Sequence, residues 1–423
     1  MEVKVQRIVA CFDGTWNTDR SNTNVSRLFR LIADETTGCP EQRHFYDDGV
    51  GTRLGERVRG GMLGMGLDGN IRQGYAWLGS QFALAATTEL DAEQFLVGPD
   101  LYLFGFSRGA FTARSLGGLI NYLGLPKLGS KPQSEPSESP QEDAVVTQAW
   151  SLYEARPDNA EREAIKTGQA DAALVKRITE HDAEVARHRA EHAFYPVRIH
   201  FLGVWDTVGA LGIPRVFDNW SFMRPSTKYR FHDTKLGRCV RFAYHAVAID
   251  EQREPYCVTL WTARERATEE VEQRWFPGAH ADVGGGYEDD LLPDPPLAWI
   301  ATKAAQKGLH FINDRGEIDP VKQVRLASVA RMPAAFELDG REYLSAVHDS
   351  YAEFMGGGYQ VLRSLPGAGG RTYRRMLVER DGINQTIDQT ANMKIAADPG
   401  YRPPNLSQAG RLDVSYRIAR LDE

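Results

Sequence analysis

The stretch Leu101-Tyr-Leu-Phe-Gly105-Phe-Ser107-Arg-Gly109-Ala-Phe-Thr-Ala-Arg-Ser-Leu-Gly-Gly-Leu-Ile120 reads as a buried strand, a tight turn and an amphipathic helix in immediate succession. At its centre stands Gly-x-Ser-x-Gly, with the strand and helix that give this pattern its meaning. In such a turn the serine is strained and projects above the end of a sheet. The glycines are needed because a Cβ there would collide with neighbouring backbone. Ser107 is therefore the candidate nucleophile. The helix after it aims its free N–H groups and positive dipole end at the same spot, which makes the Arg108 N–H a candidate oxyanion donor.

Outward from this stretch, short apolar runs alternate with longer helical patterns: Ile8 to Phe12, Val197 to Trp205 and Val271 to Phe276 join Leu101 to Phe106 as expected strands. This is the punctuation of an α/β fold, here an α/β-hydrolase-like, mostly parallel sheet flanked by helices. Residues 128–142 include Lys131-Pro-Gln-Ser-Glu-Pro-Ser-Glu-Ser-Pro140, a polar piece expected to be a mobile loop. Residues 143–195, dense in Ala, Glu, Arg and His, predict a helical insertion with exposed helices. Glycine and proline punctuation over 356–423 predicts an irregular C-terminal wrap. The expected organisation is one domain over 1–423, because the candidate site residues lie on both sides of the insertion.

A serine hydroxyl needs a base, itself held by an acid, and in this fold class the chain order is serine, acid, histidine. Asp206, in Trp205-Asp-Thr-Val-Gly209, leaves the carboxyl end of an expected strand and is the candidate acid. Its plainer reading is a turn cap. His280, in Trp275-Phe-Pro-Gly-Ala-His280-Ala-Asp282-Val-Gly-Gly-Gly-Tyr287, is the candidate base; His348 and His245 are the rivals. Asp282 is an alternative acid but reads more readily as a carboxylate that orders its loop. The first strand ends in Phe12-Asp13-Gly14-Thr15, where Gly14 or Thr15 is the second oxyanion donor and Asp13 supports the loop. An aspartyl-phosphate chemistry is set aside because the nucleophile position before Asp-Gly-Thr is occupied by Cys11.

Composition limits the partners. With 50 Lys and Arg against 57 Asp and Glu, a net charge of −7 does not draw in nucleic acid. Four scattered cysteines form neither a disulfide framework nor a zinc-type Cys-x-x-Cys, which points to a reducing compartment. No ligand set with metal spacing is visible around His280, Asp282 and the Asp47-Asp48 pair, so no metal and no other cofactor is expected. The amino terminus lacks the pattern of a Sec signal and no apolar run approaches a bilayer span, so the chain is expected to be cytoplasmic as made, with peripheral membrane contact at most. Gly60-Gly-Met-Leu-Gly-Met-Gly66 and Trp220-Ser-Phe-Met-Arg224, the latter flanked by Lys228 and Arg230, are the candidate lipid-facing segments.

Phe12-Asp-Gly-Thr-Trp-Asn17, Gly49-Val-Gly-Thr52, Gly105-Phe-Ser-Arg-Gly-Ala-Phe-Thr-Ala-Arg114, Val204-Trp-Asp-Thr-Val-Gly209, Ala248-Ile-Asp-Glu251, Phe276 to Tyr287 and Tyr401-Arg-Pro-Pro-Asn-Leu406 together resemble, in order, the catalytic domain of the class-one type VI secretion phospholipase effectors and their uncharacterised bacterial and fungal relatives. The resemblance implies an α/β-hydrolase fold, a Ser107–Asp206–His280 triad and phospholipase A-type cleavage of esters. For the effector branch it also implies export by type VI secretion, with a secretion-apparatus or immunity partner. One departure stands out: Asn384-Gln-Thr-Ile387 occupies the place of a histidine-containing stretch, so any role of that histidine is missing or has passed to His348. A cytoplasmic carboxylesterase or thioesterase on a soluble substrate is the alternative. A non-catalytic binding protein of the same fold is a further one, disfavoured by the order of the triad.

Overall fold

A computed structural model describes residues 6–14, 17, 20–49, 63–83, 89–129, 140–209, 234–265, 268–287, 291–312, 338, 340–353, 360, 364, 375, 382–409 and 418–419. Its centre is an eight-stranded sheet of β1 (Arg7–Phe12), β2 (Gln42–Asp47), β3 (Asp100–Phe106), β4 (Ile199–Trp205), β5 (Val240–Ala248), β6 (Glu270–Phe276), β7 (Gln385–Asp388) and β8 (Ile418–Ala419). The spatial order is β2-β1-β3-β4-β5-β6-β7-β8 and every pairing in this sheet is parallel. This is an α/β fold with a parallel sheet, as the alternation of apolar runs predicts.

Parallel strands need helical crossovers, and these bury both faces of the sheet. The period-2 alternation of β1 shows the division: Ile8, Ala10 and Phe12 join one core with Ile71, Tyr75 and Leu78 of α2 (Leu63–Ala83) and Phe111, Leu116 and Leu119 of α3 (Arg108–Leu123). Val9 and Cys11 face the other core, with Val25 and Leu28 of α1 (Asn24–Phe29) and Leu297 and Ile300 of the later helix Asp294–Gln306. Each Val, Leu, Ile or Phe among them contributes about 1.5–3 kcal/mol on burial, and a one-residue slip in register would exchange the two sets.

The inserted segment forms α4 (Pro140–Glu154), α5 (Asn159–Lys166) and α6 (Ala172–Glu191). Its helices differ in burial. Val146, Ala149, Trp150 and Tyr153 of α4 extend the first core, α6 buries only Ile178, His181 and His188, and α5 buries nothing. Helices α5 and α6 are thus largely exposed, while the large apolar residues of α4 are spaced for one buried face.

Strand order fixes where a site can form. From β1 the chain moves outward to β2, and from β3 it moves the opposite way to β4, so a topological switch lies between β1 and β3 at their carboxyl ends. Phe12 and Gly105 are register partners there. The residues just beyond them are Asp13-Gly14 and Ser107. Among the described residues no helix is long and apolar enough to cross a membrane.

Candidate active site

Ser107 occupies the turn between β3 and α3 with φ 57° and ψ −120°, a conformation that a residue with a side chain adopts only when its surroundings impose it. The surroundings are specific. A Cβ on Gly105 would lie 2.4 Å from the Gly109 carbonyl oxygen, and one on Gly109 would lie 2.1 Å from that of Phe12. The two glycines let α3 start directly against the ends of β1 and β3. The Ser107 N–H donates to the Trp205 carbonyl at 3.1 Å, so the strained residue still belongs to the ladder. Its side chain does not cap α3, which leaves the hydroxyl free for other partners and the first-turn N–H groups without intrahelical acceptors.

The partner is His280, first residue of the short helix α7 (His280–Gly284) that follows β6. Its Nε2 lies 2.8 Å from Ser107 Oγ, and its Nδ1 lies 2.5 Å from Asp206 Oδ2. The carboxylate accepts a hydrogen bond from Nδ1–H, which leaves Nε2 to accept from the hydroxyl. The rings of Phe106 and Tyr256 flank the imidazole, with centroids 4.7 and 4.9 Å away. Burial lowers the His280 pKa from its ordinary value and the Asp206 contact pulls it back only in part, so the free base prevails at neutral pH.

Asp206 extends β4 by one residue at φ 41°, its N–H held by the Ala246 carbonyl at 2.7 Å. Its carboxylate is fully engaged. Oδ1 accepts from the Ala248 N–H at 2.9 Å and from Arg375 at 2.5 Å, while Oδ2 accepts from His280 and from the other Arg375 nitrogen at 2.9 Å. Burial alone would raise this carboxyl, but the Arg375 guanidinium and His280 outweigh it and hold Asp206 well below the usual carboxylate range. Arg375 is itself anchored on the Ala248 and Tyr256 carbonyls at 3.0 and 2.6 Å.

A second carboxylate fixes the backbone of His280. Buried Glu251 accepts from the His280 N–H at 3.2 Å and makes a two-point pair with Arg253. Asp250 accepts from the Gly278 N–H at 2.7 Å and from the Tyr401 hydroxyl at 2.8 Å, which gives the Tyr-Arg-Pro-Pro segment its role as a brace of the histidine loop. Arg375, Glu251 and Arg253 were not legible as site residues in the sequence. Carboxylates just past the end of β5 were the available signal for Glu251; Arg375 carried none, as its partner is 169 positions away.

The other expected residues fall as follows. Asp13 is buried and accepts from the Gly14 N–H at 2.6 Å and from the Thr23 and Tyr46 hydroxyls at 2.5 Å each. Burial raises its pKa to about 6, against the pull of those three bonds. Gly14 packs beside Ser107, since a Cβ on it would lie 3.4 Å from that of the serine, but its N–H is engaged with Asp13. Thr15 lies outside the described residues. Asp282 accepts the Ala279 N–H at 2.8 Å and pairs with His348 Nδ1 at 2.6 Å; His348 in turn stacks on Tyr287. His348 is thus joined to Asp282 and not to Ser107. His245 is buried with a pKa pushed down to about 3, accepts the Thr207 N–H and faces Gln273. A cavity of about 210 Å³ lined by Arg114, Tyr122, Arg156 and Trp261 among others has none of Ser107, Asp206 and His280 in its lining. Residues 220–224, 228 and 230 lie outside the described residues, as do 60–62; residues 63–66 fall within α2.

Comparison with known proteins adds a family. The model of the catalytic domain of Tle1-like type VI secretion phospholipase effectors matches residues 6–303. An uncharacterized protein of Saccharomyces cerevisiae is 26% identical over 350 residues, covering 76% of this chain and 43% of its own. Among solved structures, an uncharacterized protein from Pseudomonas aeruginosa aligns with a TM-score of 0.40 at 18% identity, covering 77% of this chain and 49% of that one. The Tle1 effector, solved bound to the VgrG spike of the type 6 secretion system, aligns with a TM-score of 0.33 at 17% identity, covering 67% and 52%. The chain therefore spans about half the length of the proteins it matches.

Proposed function

The chain belongs to the family of Tle1-like catalytic domains of type VI secretion phospholipase effectors, and on that premise we propose that it is a serine ester hydrolase that cleaves acyl esters of phospholipids. The observation that carries the reading is the unbroken relay Ser107 Oγ to His280 Nε2 and His280 Nδ1 to Asp206, at 2.8 and 2.5 Å. In this mechanism Nε2 takes the Ser107 proton as Oγ attacks the ester carbonyl, and the imidazolium returns the proton to the departing alcohol. Water then repeats the sequence and releases the fatty acid. Asp206 holds the imidazole in the required tautomer and balances its charge; Arg375 and the Ala248 N–H hold Asp206.

The oxyanion falls to the N–H groups at the start of α3, Arg108 first, where the helix dipole adds its positive end. Gly14 is the neighbouring donor, and reaching an oxyanion requires its N–H to leave Asp13. Asp282 and His348 serve as supports of the loop that carries His280. The chemistry calls on no metal or cofactor. Phospholipid as substrate rests on the family. Export by a type VI apparatus, a partner on that apparatus and an immunity partner are further proposals on the same ground.

The test is direct. Wild-type and Ser107→Ala protein are incubated with phospholipids labelled at one acyl position, and released fatty acid is identified. Release by the wild type alone supports the reading. Turnover of short-chain esters without fatty acid release would leave the triad standing and replace the lipid substrate by a soluble ester or thioester.

A further inference from the structure

At the opposite, amino end of the sheet the chain brings together three side chains of metal-binding type. Cys39 and Glu41 precede β2, and His310 follows the helix Asp294–Gln306. Their donor atoms all lie within 4.8 Å of one another, with Cys39 Sγ 3.6 Å from His310 Nδ1 and Glu41 Oε1 4.0 Å from the same nitrogen. We propose that Cys39, Glu41 and His310 form a three-ligand site for a thiophilic divalent cation, Zn²⁺ foremost.

The distances fit the ion. With Zn–S near 2.3 Å and Zn–N near 2.0 Å, a tetrahedral site sets neighbouring donors roughly 3.3–3.6 Å apart. The sulfur and nitrogen already meet this, and a small rotation of Glu41 brings in the carboxylate. Thiolate, imidazole and carboxylate together favour a borderline-soft ion over Mg²⁺ or Ca²⁺, and water completes the fourth position. The backbones are held in place beforehand. The Cys39 N–H donates to the Asp34 carbonyl at 2.6 Å, and the Glu41 carbonyl accepts from the Gln6 and Arg7 N–H groups at 2.7 and 3.1 Å. Buried Gln42 clasps His310 through both its carbonyl and its N–H, at 2.9 and 3.1 Å.

The charges also balance. Thiolate and carboxylate match the two positive charges of the ion, and the further groups acting on Cys39, Arg7 and Asp34, are of opposite sign. The thiol gives up its proton as the metal binds. Position argues for a fastening: the ion would tie the start of edge strand β2 to the chain leaving the second helical layer, away from Ser107. The inference is independent of the proposed hydrolysis.

Cobalt(II) provides the readout, because a thiolate ligand gives it a charge-transfer band that oxygen and nitrogen ligands do not. The full chain, freed of metal by chelation, is expected to take up one equivalent of Co²⁺ with such a band, to lose it on addition of Zn²⁺, and to unfold at higher temperature with either ion. The band should persist in Cys257→Ser, which removes the exposed thiol, and vanish in Cys39→Ser. In Glu41→Gln, at a partly exposed side chain, the band should remain while affinity falls by at least the roughly 10- to 100-fold that loss of an outer-shell partner costs. Absence of a thiolate band in the wild type, its loss in Cys257→Ser, or undiminished affinity in Glu41→Gln would overturn the site.

Discussion

Two arginine–carboxylate pairs share one geometry and differ in surroundings. Arg162 and Asp182 join α5 to α6 through two bonds of 3.1 and 2.8 Å, with side chains 39% and 49% exposed. Arg375 grips Asp206 through two bonds as well, with side chains 1% and 0% exposed. The first pair competes with water and contributes on the order of 0.2–1 kcal/mol. The second has no water to fall back on, so removing one partner leaves an unbalanced buried charge. A shared two-point geometry does not imply a shared consequence. What a charge pair does depends on what else its members must hold, and Asp206 also holds His280.

The largest expected effect tests whether the carboxyl end of the sheet carries chemistry at all. Ser107→Ala should lower ester turnover by a factor on the order of 10⁶ and abolish labelling by a fluorophosphonate probe, with the unfolding midpoint kept. Labelling that persists would reduce the buried cluster to a structural one. Next comes stability: urea unfolding should place Arg375→Gln about 3–5 kcal/mol below the wild type and Arg162→Gln less than about 1 kcal/mol below it. Similar losses would break the contrast.

Acidity separates the two pairs more finely. Because the His280 pKa is lowered from 6.5, kcat/KM should fall as pH drops below that value and the imidazole protonates. Loss of the Arg375 charge leaves Asp206 better able to hold an imidazolium, so in Arg375→Gln this acid limb should move to higher pH. Arg162→Gln should leave it in place. An unmoved limb in Arg375→Gln would make that residue a brace for the fold alone. Stability should also report Asp206: its depressed pKa contributes stability above the unfolded value of 3.8 that is lost as pH falls toward the folded pKa.

Asp13 has the opposite sign. With its pKa raised from 3.8 to about 6, its contribution is present below 3.8 and is lost as pH rises through about 6. Asp13→Asn should remove that slope from stability measured between those limits. The smallest effect is that of salt. Between about 0.01 and 1 M the screening length falls from about 30 to about 3 Å, so the penalty of Arg162→Gln should fade while that of Arg375→Gln persists.

The parts of the molecule that were legible in the sequence are those where one local pattern suffices. Strands β1, β3 and β4 show as apolar runs because both faces of the sheet are covered, β6 shows only through Val271, Trp275 and Phe276, and the turn at Ser107 shows because two backbone contacts exclude any residue but glycine at 105 and 109. Strand β2, Gln42–Asp47, escaped because it is a polar, partly exposed edge. Strand β5 escaped because Arg241 and His245 interrupt its apolar run, yet His245 is buried with Thr207 and Gln273 as partners. Chain order singled out Asp206 and His280, which lie in one hydrogen-bonded chain with Ser107, while the groups that hold them, Arg375, Glu251 and Arg253, depend on tertiary placement. So does the Cys39, Glu41 and His310 cluster, whose third member comes from beyond the second helical layer.

The guanidinium behind Asp206 has a bearing on biosynthesis. A ribosome releases the amino end first, so serine, acid and base all emerge before Arg375, and the region matched by the family model ends at residue 303, short of it. A nascent or truncated chain that stops there can pair β1 to β6 yet must bury Asp206 without the guanidinium that grips it. The buried carboxylate therefore gains its full set of partners only once residue 375 has emerged.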